Sequence, residues 1–101
     1  MDTINAVAKA RFSSARVQQV RLHAGGREIV ELLCFEPGQK LSVAAGRRMY
    51  YVIAGAGEIV AGSSRQSLAA GHLAVTAPDE RHTVGNSGEQ RLVCLVVGRT
   101  S

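Results

Sequence analysis

The stretch that decides the fold is Gly71-His72-Leu73-Ala74-Val75-Thr76-Ala77-Pro78-Asp79-Glu80-Arg81-His82-Thr83-Val84-Gly85-Asn86. A glycine turn leads into a short apolar run, Leu73 to Thr76. A turn marked by Pro78 follows, His82 opens a second run through Val84, and Gly85-Asn86 ends it. Two short runs bounded by turn residues read as a β-hairpin with an imidazole at one strand end.

The same punctuation recurs in both directions. Upstream, Val17 to His23 and Glu28 to Phe35 are strand-like and flank the turn Ala24-Gly25-Gly26. The run after Ile29 is apolar at nearly every position, the pattern of a strand covered on both faces. Glu36-Pro37-Gly38 is a turn in which proline sets φ and glycine permits a positive φ. Lys40 to Ala44 is short and weakly extended, and Ala45-Gly46-Arg47 is a bend. Met49 to Ile53, Glu58 to Ala61 and Gln66 to Leu68 are further strands, separated by Ala54-Gly55-Ala56-Gly57 and Gly62-Ser63-Ser64. Downstream, Asn86-Ser87-Gly88 turns into a last strand, Arg91 to Val97. Many short strands with closely spaced turns, and no long helical period, predict an all-β fold: a small antiparallel barrel or sandwich. Met49, Val52, Ile53, Val75, Val93, Leu95 and Val97 are expected in its core, with Cys34 and Cys94 as small buried hydrophobes.

Length and composition set the outer bounds. A chain of 101 residues with 46% apolar residues supports one domain with a genuine core. Residues 17–101 are assigned to the barrel and residues 1–16 to an N-terminal arm. That arm either crosses to a partner subunit or covers a sheet edge. The net charge of +4 is spread along the chain, with Arg47-Arg48 the only adjacent basic pair, so nucleic-acid binding is not expected. No apolar stretch is long enough to span a bilayer, no Cys-x-x-Cys motif occurs, and a cytoplasmic location is expected. Cys34 and Cys94 could form a disulfide only if their strands are neighbours of suitable geometry.

From Val17 to Val97 the chain resembles the cupin superfamily of jelly-roll barrels (double-stranded β-helices). The second cupin motif fits: Gly71 is its opening glycine, His82 its histidine and Asn86 its asparagine, with Ala77 and Asp79 in place of the usual proline and glycine. The first motif keeps its frame in Pro37-Gly38 and in Tyr51-Val52-Ile53-Ala54-Gly55, but not its chemistry. Counting back from Gly55 puts Arg48 at the glutamate position and the two histidine positions near Ser42 and Ala44. Counting forward from Gly38 puts those two at Ala44 and Gly46. In the family these two histidines, the glutamate and the second-motif histidine hold a divalent metal. Here only His82 remains, and a catalytic metal needs about three protein ligands. No cofactor is therefore expected, beyond a weak or adventitious divalent metal at His82.

If Arg48 keeps the inward direction of the residue it replaces, Tyr50 and Val52 share its face, and His82 points inward from another strand. Arg48, Tyr50 and His82 would then ring one lumen suited to a small anionic or hydroxylated ligand. The alternatives are that Arg48 reaches solvent beside Arg47, that Tyr50 is core, and that His82 is a satisfied strand-end residue. His23, His72 and Asp79-Glu80-Arg81 read as surface. The expected function is binding of a small organic ligand in a barrel without metal catalysis, in a homodimer of the kind the resemblance implies. A metal-dependent isomerase or dioxygenase with an unusual ligand set, and a dimeric structural or regulatory module, are the other readings, and whether the chain is an enzyme stays open.

Overall fold

A computed structural model describes residues 1–44 and 46–99. Ala45, part of the expected bend, and residues 100–101 lie outside the described residues. Among the described residues a 3-10 turn, Val7–Lys9, precedes nine strands. These are β1 Gln18–Gly25, β2 Glu28–Phe35, β3 Lys40–Val43, β4 Arg48–Ala54, β5 Ala56–Ala61, β6 Ser64–Ala69, β7 Leu73–Val75, β8 His82–Gly85 and β9 Leu92–Arg99. They form two antiparallel sheets, one in the order β1-β2-β9-β4-β7 and the other β3-β8-β5-β6. Among the described residues no helix is long and apolar enough to cross a membrane.

The chain passes between the sheets at tight bends. At Gly55, φ is +86° and a Cβ would land on the Arg91 carbonyl oxygen, so only glycine lets β4 run directly into β5. The interior is built by strand alternation. Leu33 and Phe35 of β2, Tyr50 and Val52 of β4, and Leu92, Cys94 and Val96 of β9 face Ile59, Leu68 and Val84 of the other sheet. Asn86 locks the end of β8. Its side-chain amide donates to the carbonyls of Phe35 and Gln90 at 3.3 and 2.8 Å, and its Oδ1 accepts from the Gly88 amide at 3.0 Å.

The outer face of the larger sheet corrects the expected core. Leu32, Cys34 and Val93 form a second cluster there, covered by Ala6, Ala10 and Phe12 of the arm. The arm thus lies on a sheet face, fastened by Arg91 stacked 4.3 Å from the Phe12 ring centroid and by a hydrogen bond from Gln39 Nε2 to the Ser13 carbonyl. It leaves Met49 and Tyr51 of β4 and Leu73 and Val75 of β7 exposed. Met49 and Val75, expected in the core, are 40% and 52% exposed, and Ile53, Leu95 and Val97 are half-buried. Cys34 and Cys94 are both buried and free. Their strands are neighbours, but Cys34 pairs with Val93 and Leu33 with Cys94, so alternation sends the two thiols to opposite faces. That geometry forbids a disulfide between them.

Candidate functional site

His82 begins β8 and Tyr50 lies in the middle of β4, in opposite sheets. Their side chains meet across the interior: Tyr50 Oη lies 2.6 Å from His82 Nε2, and the rings stand edge to face at 80° with centroids 5.4 Å apart. Both are buried, at 1% and 4% exposure. The other ring nitrogen, Nδ1, lies 3.0 Å from the Glu80 carbonyl oxygen. A carbonyl can only accept, so Nδ1 carries the proton and donates. In the neutral ring Nε2 is then an acceptor, and the Tyr50 hydroxyl donates to it. Burial pushes the Tyr50 phenol well above its ordinary range, with the Arg48 guanidinium only partly opposing this, so Tyr50 keeps its proton as this arrangement requires.

Arg48 opens β4 and is half-buried. It pairs with Gly98 on β9, and a Cβ at Gly98 would come within 2.9 Å of Arg48 Cδ, so the missing side chain makes room for the arginine stem. Its guanidinium turns back over Gly46 and donates to the Arg47 carbonyl at 3.1 Å. The Arg48 backbone is held by Thr76: Arg48 N–H donates to Thr76 Oγ1, and Thr76 N–H donates to the Arg48 carbonyl, both at 2.9 Å.

Arg48 and Tyr50 line a cavity of about 240 Å³ together with Gln19, Glu31, Leu33 and Leu41. Glu31 is paired with Arg21 at 3.4 Å, whereas Arg48 has no acidic partner among the described residues. His82 does not line this cavity. It lines a second, more open hollow with Val43, Ala44, Val60, Arg81 and Thr83. Of the three residues expected to ring one lumen, Tyr50 therefore shares a cavity with Arg48 and a hydrogen bond with His82, while Arg48 and His82 open onto different spaces.

The strand register also relocates the expected ligand positions. Val43 pairs with His82 and shares its inward face, while Ser42 pairs with Thr83 on the outside, their hydroxyl oxygens 3.5 Å apart. Ser42, which the sequence count reached, therefore points away from the imidazole, and the apolar Val43 lies beside it. Among the described residues no group of three or more His, Cys, Asp or Glu side chains comes together to hold a metal. The donor set does not suit a divalent cation: its one imidazole already accepts from Tyr50, and Val43 beside it offers no lone pair. Sequence reasoning missed Glu80. Besides its carbonyl bond to His82, its carboxylate Oε1 accepts the Ala77 amide at 3.2 Å, closing the turn that sets the ring's orientation. The Pro78-Asp79-Glu80 turn was the available signal.

Two antiparallel sheets folded over a buried polar pair define a double-stranded β-helix, the jelly-roll class. The Cupin domain family model matches residues 31–98, and the chain belongs to that family. It is similar to the crystal structure of a Thermus thermophilus protein, with a TM-score of 0.93 and 21% identity over 99% of this chain and 98% of that one. A double-stranded β-helix protein from Klebsiella pneumoniae gives 0.88 and 21% over 98% and 90%. A cupin superfamily protein from Desulfitobacterium hafniense gives 0.83 and 15% over 99% and 92%. At these identities the likeness is one of fold. No curated protein sequence matches this chain.

Proposed function

We propose that this small cupin binds a small organic anion or hydroxylated molecule in the cavity beside Arg48 and Tyr50, without a tightly held metal, and that it works as a homodimer. One observation carries the ligand class. Arg48 is the cavity's uncompensated charge, since Glu31 in the same wall is neutralised by Arg21. Arg48 Nη1 is engaged with the Arg47 carbonyl, but Nε and Nη2 make no hydrogen bond among the described residues, and that edge of a guanidinium binds a carboxylate or phosphate through two parallel hydrogen bonds. The Tyr50 hydroxyl spends its proton on His82, which leaves its oxygen lone pairs to accept from a ligand hydroxyl. His82 then acts as a positioning residue that fixes the phenol. A volume of about 240 Å³ suits a compact acid rather than a cofactor.

Isothermal titration against malate, lactate and glycerol phosphate tests this, with Arg48→Met as the control. Binding of at least one acid, lost in Arg48→Met and retained in an Arg47→Met variant, supports the assignment. Equal binding by both variants, or no binding by the wild type, overturns it. Elemental analysis of protein purified without an affinity tag tests the metal reading: a stoichiometric transition metal that disappears in His82→Ala would refute it.

A further inference from the structure

The two sheets have four outer strands, β1, β3, β6 and β7, and three of them carry the usual guards against pairing with another chain. In β1 the register shifts between Arg21 and His23. In β3 Lys40 sits at the edge, and β6 reads Ser64-Arg65-Gln66-Ser67 through most of its length. β7 is Leu73-Ala74-Val75, with no charge, proline or bulge. Its main-chain groups are half spent. Val52 N–H donates to the His72 carbonyl at 3.0 Å and Thr76 N–H to the Arg48 carbonyl at 2.9 Å, so the even-numbered residues face β4. In an antiparallel ladder the N–H and C=O groups of Leu73 and Val75 therefore point away from the sheet.

The apolar surface next to that edge is bare. Met49 pairs with Val75 and Tyr51 with Leu73, and all four side chains lie on the outer face at 40%, 52%, 43% and 61% exposure. Together they leave roughly 400 Å² of largely apolar surface open, within the range of the largest patch on a typical monomer, which is often a functional one. The edge beside it is self-complementary: Leu73 and Val75 offer two N–H and two C=O groups, the set a second antiparallel copy of the same strand would match.

We propose that β7 is the self-pairing edge: the β7 strands of two copies meet antiparallel about a two-fold axis at Ala74, continuing the larger sheet across the dimer. Leu73 stands opposite the partner's Val75, and this register uses all four outward N–H and C=O groups of each strand. A slip centred on Leu73 leaves Val75 without a strand residue opposite. In the proposed register the paired side chains extend the bare patches of the two copies into one apolar surface. This rests on the homodimer reading above and adds its edge and register to it.

Sedimentation equilibrium over a range of concentrations tests both parts. The wild type is expected at twice the monomer mass, and a Leu73→Lys/Val75→Lys double variant at the monomer mass with an unchanged β-sheet circular dichroism spectrum. A wild-type monomer at every concentration overturns the dimer itself. A double variant that stays dimeric overturns the edge while leaving the dimer standing. Register is read by oxidative crosslinking. Ala74→Cys faces its own copy across a non-hydrogen-bonded pair, where Cβ atoms lie ~4.5–5.5 Å apart, and should crosslink readily. Val75→Cys should not, and the reverse result overturns the register.

Discussion

The Tyr50 hydroxyl donates to His82 Nε2 at 2.6 Å across the barrel interior, while Nδ1 of the same ring donates to the Glu80 carbonyl at 3.0 Å. The His82 ring is therefore saturated by protein groups at both nitrogens. The tautomer follows from this, with Nδ1–H and a bare Nε2. Two-dimensional ¹H–¹⁵N correlation of the imidazole in its neutral form should show that tautomer for His82. A ring protonated at Nε2 would contradict the pairing.

Tyr50→Phe removes the donor and leaves Nε2 buried with no partner. An unsatisfied buried acceptor costs about 1–3 kcal/mol, and little volume is lost to add to that figure. Urea denaturation should show a lower midpoint with an unchanged m-value. In Tyr50→Phe/His82→Phe the buried pair is gone and part of the loss should return, the remainder reflecting the Glu80 carbonyl that loses its donor.

Asn86→Ala should be at least as costly. One side chain serves the carbonyls of Phe35 and Gln90 and the amide of Gly88, joining the ends of β2 and β8 to the loop before β9. Deleting it leaves three backbone groups to find other partners, for an expected loss of about 2–3 kcal/mol. The asparagine's place in the motif is thus explained by structure alone, and ligand binding in the protein that remains folded should be unaffected.

The frame of this fold is legible because turn chemistry is local. Ala24-Gly25-Gly26, Glu36-Pro37-Gly38 and Gly62-Ser63 bracket strands whose limits agree with the structure within a few residues. The pairing of Tyr50 with His82 is not legible, because it depends on which strands face each other across two sheets. The direction of Ser42 has a related cause. β3 is four residues long, and counting from Gly38 and from Gly55 reaches different residues, so the sequence leaves the parity open. Met49 and Val75 look like core residues in the sequence because Met49-Tyr50-Tyr51-Val52-Ile53 is apolar on both faces. Such a run predicts two covered faces, and only the path of the arm reveals that it leaves part of one uncovered.

The arm makes its own prediction. Phe12, Ala6 and Ala10 shield the face that holds Cys34, whose thiol burial raises out of its ordinary range. A chain lacking residues 1–16 should expose that thiol. Ellman's reagent should leave the intact native protein unmodified and label one cysteine of the truncated one, with Cys94 staying protected inside the barrel. Labelling of both thiols at equal rates would mean that the truncation unfolds the domain.

Stability at alkaline pH should fall for a reason that can be assigned to single residues. Burial raises the Cys94 thiol from 9.0 to about 12, with the nearby Cys34 adding to the rise, and the Tyr50 phenol moves in the same direction. A group with a raised folded pKa keeps its proton in the native state while the unfolded chain has already lost it. The unfolded state then binds fewer protons, so the unfolding free energy declines as pH rises from 9.0 toward about 12. Each fully shifted group contributes a slope of about 1.4 kcal/mol per pH unit within its window. Urea midpoints measured in steps above pH 9 should therefore drop steadily. Cys94→Ala lowers stability at neutral pH through the lost sulfur but should flatten the alkaline slope by about one group's worth. A slope identical to that of the wild type would show that the thiol ionises freely in the folded barrel and is not sequestered among Leu33, Val52 and Val96.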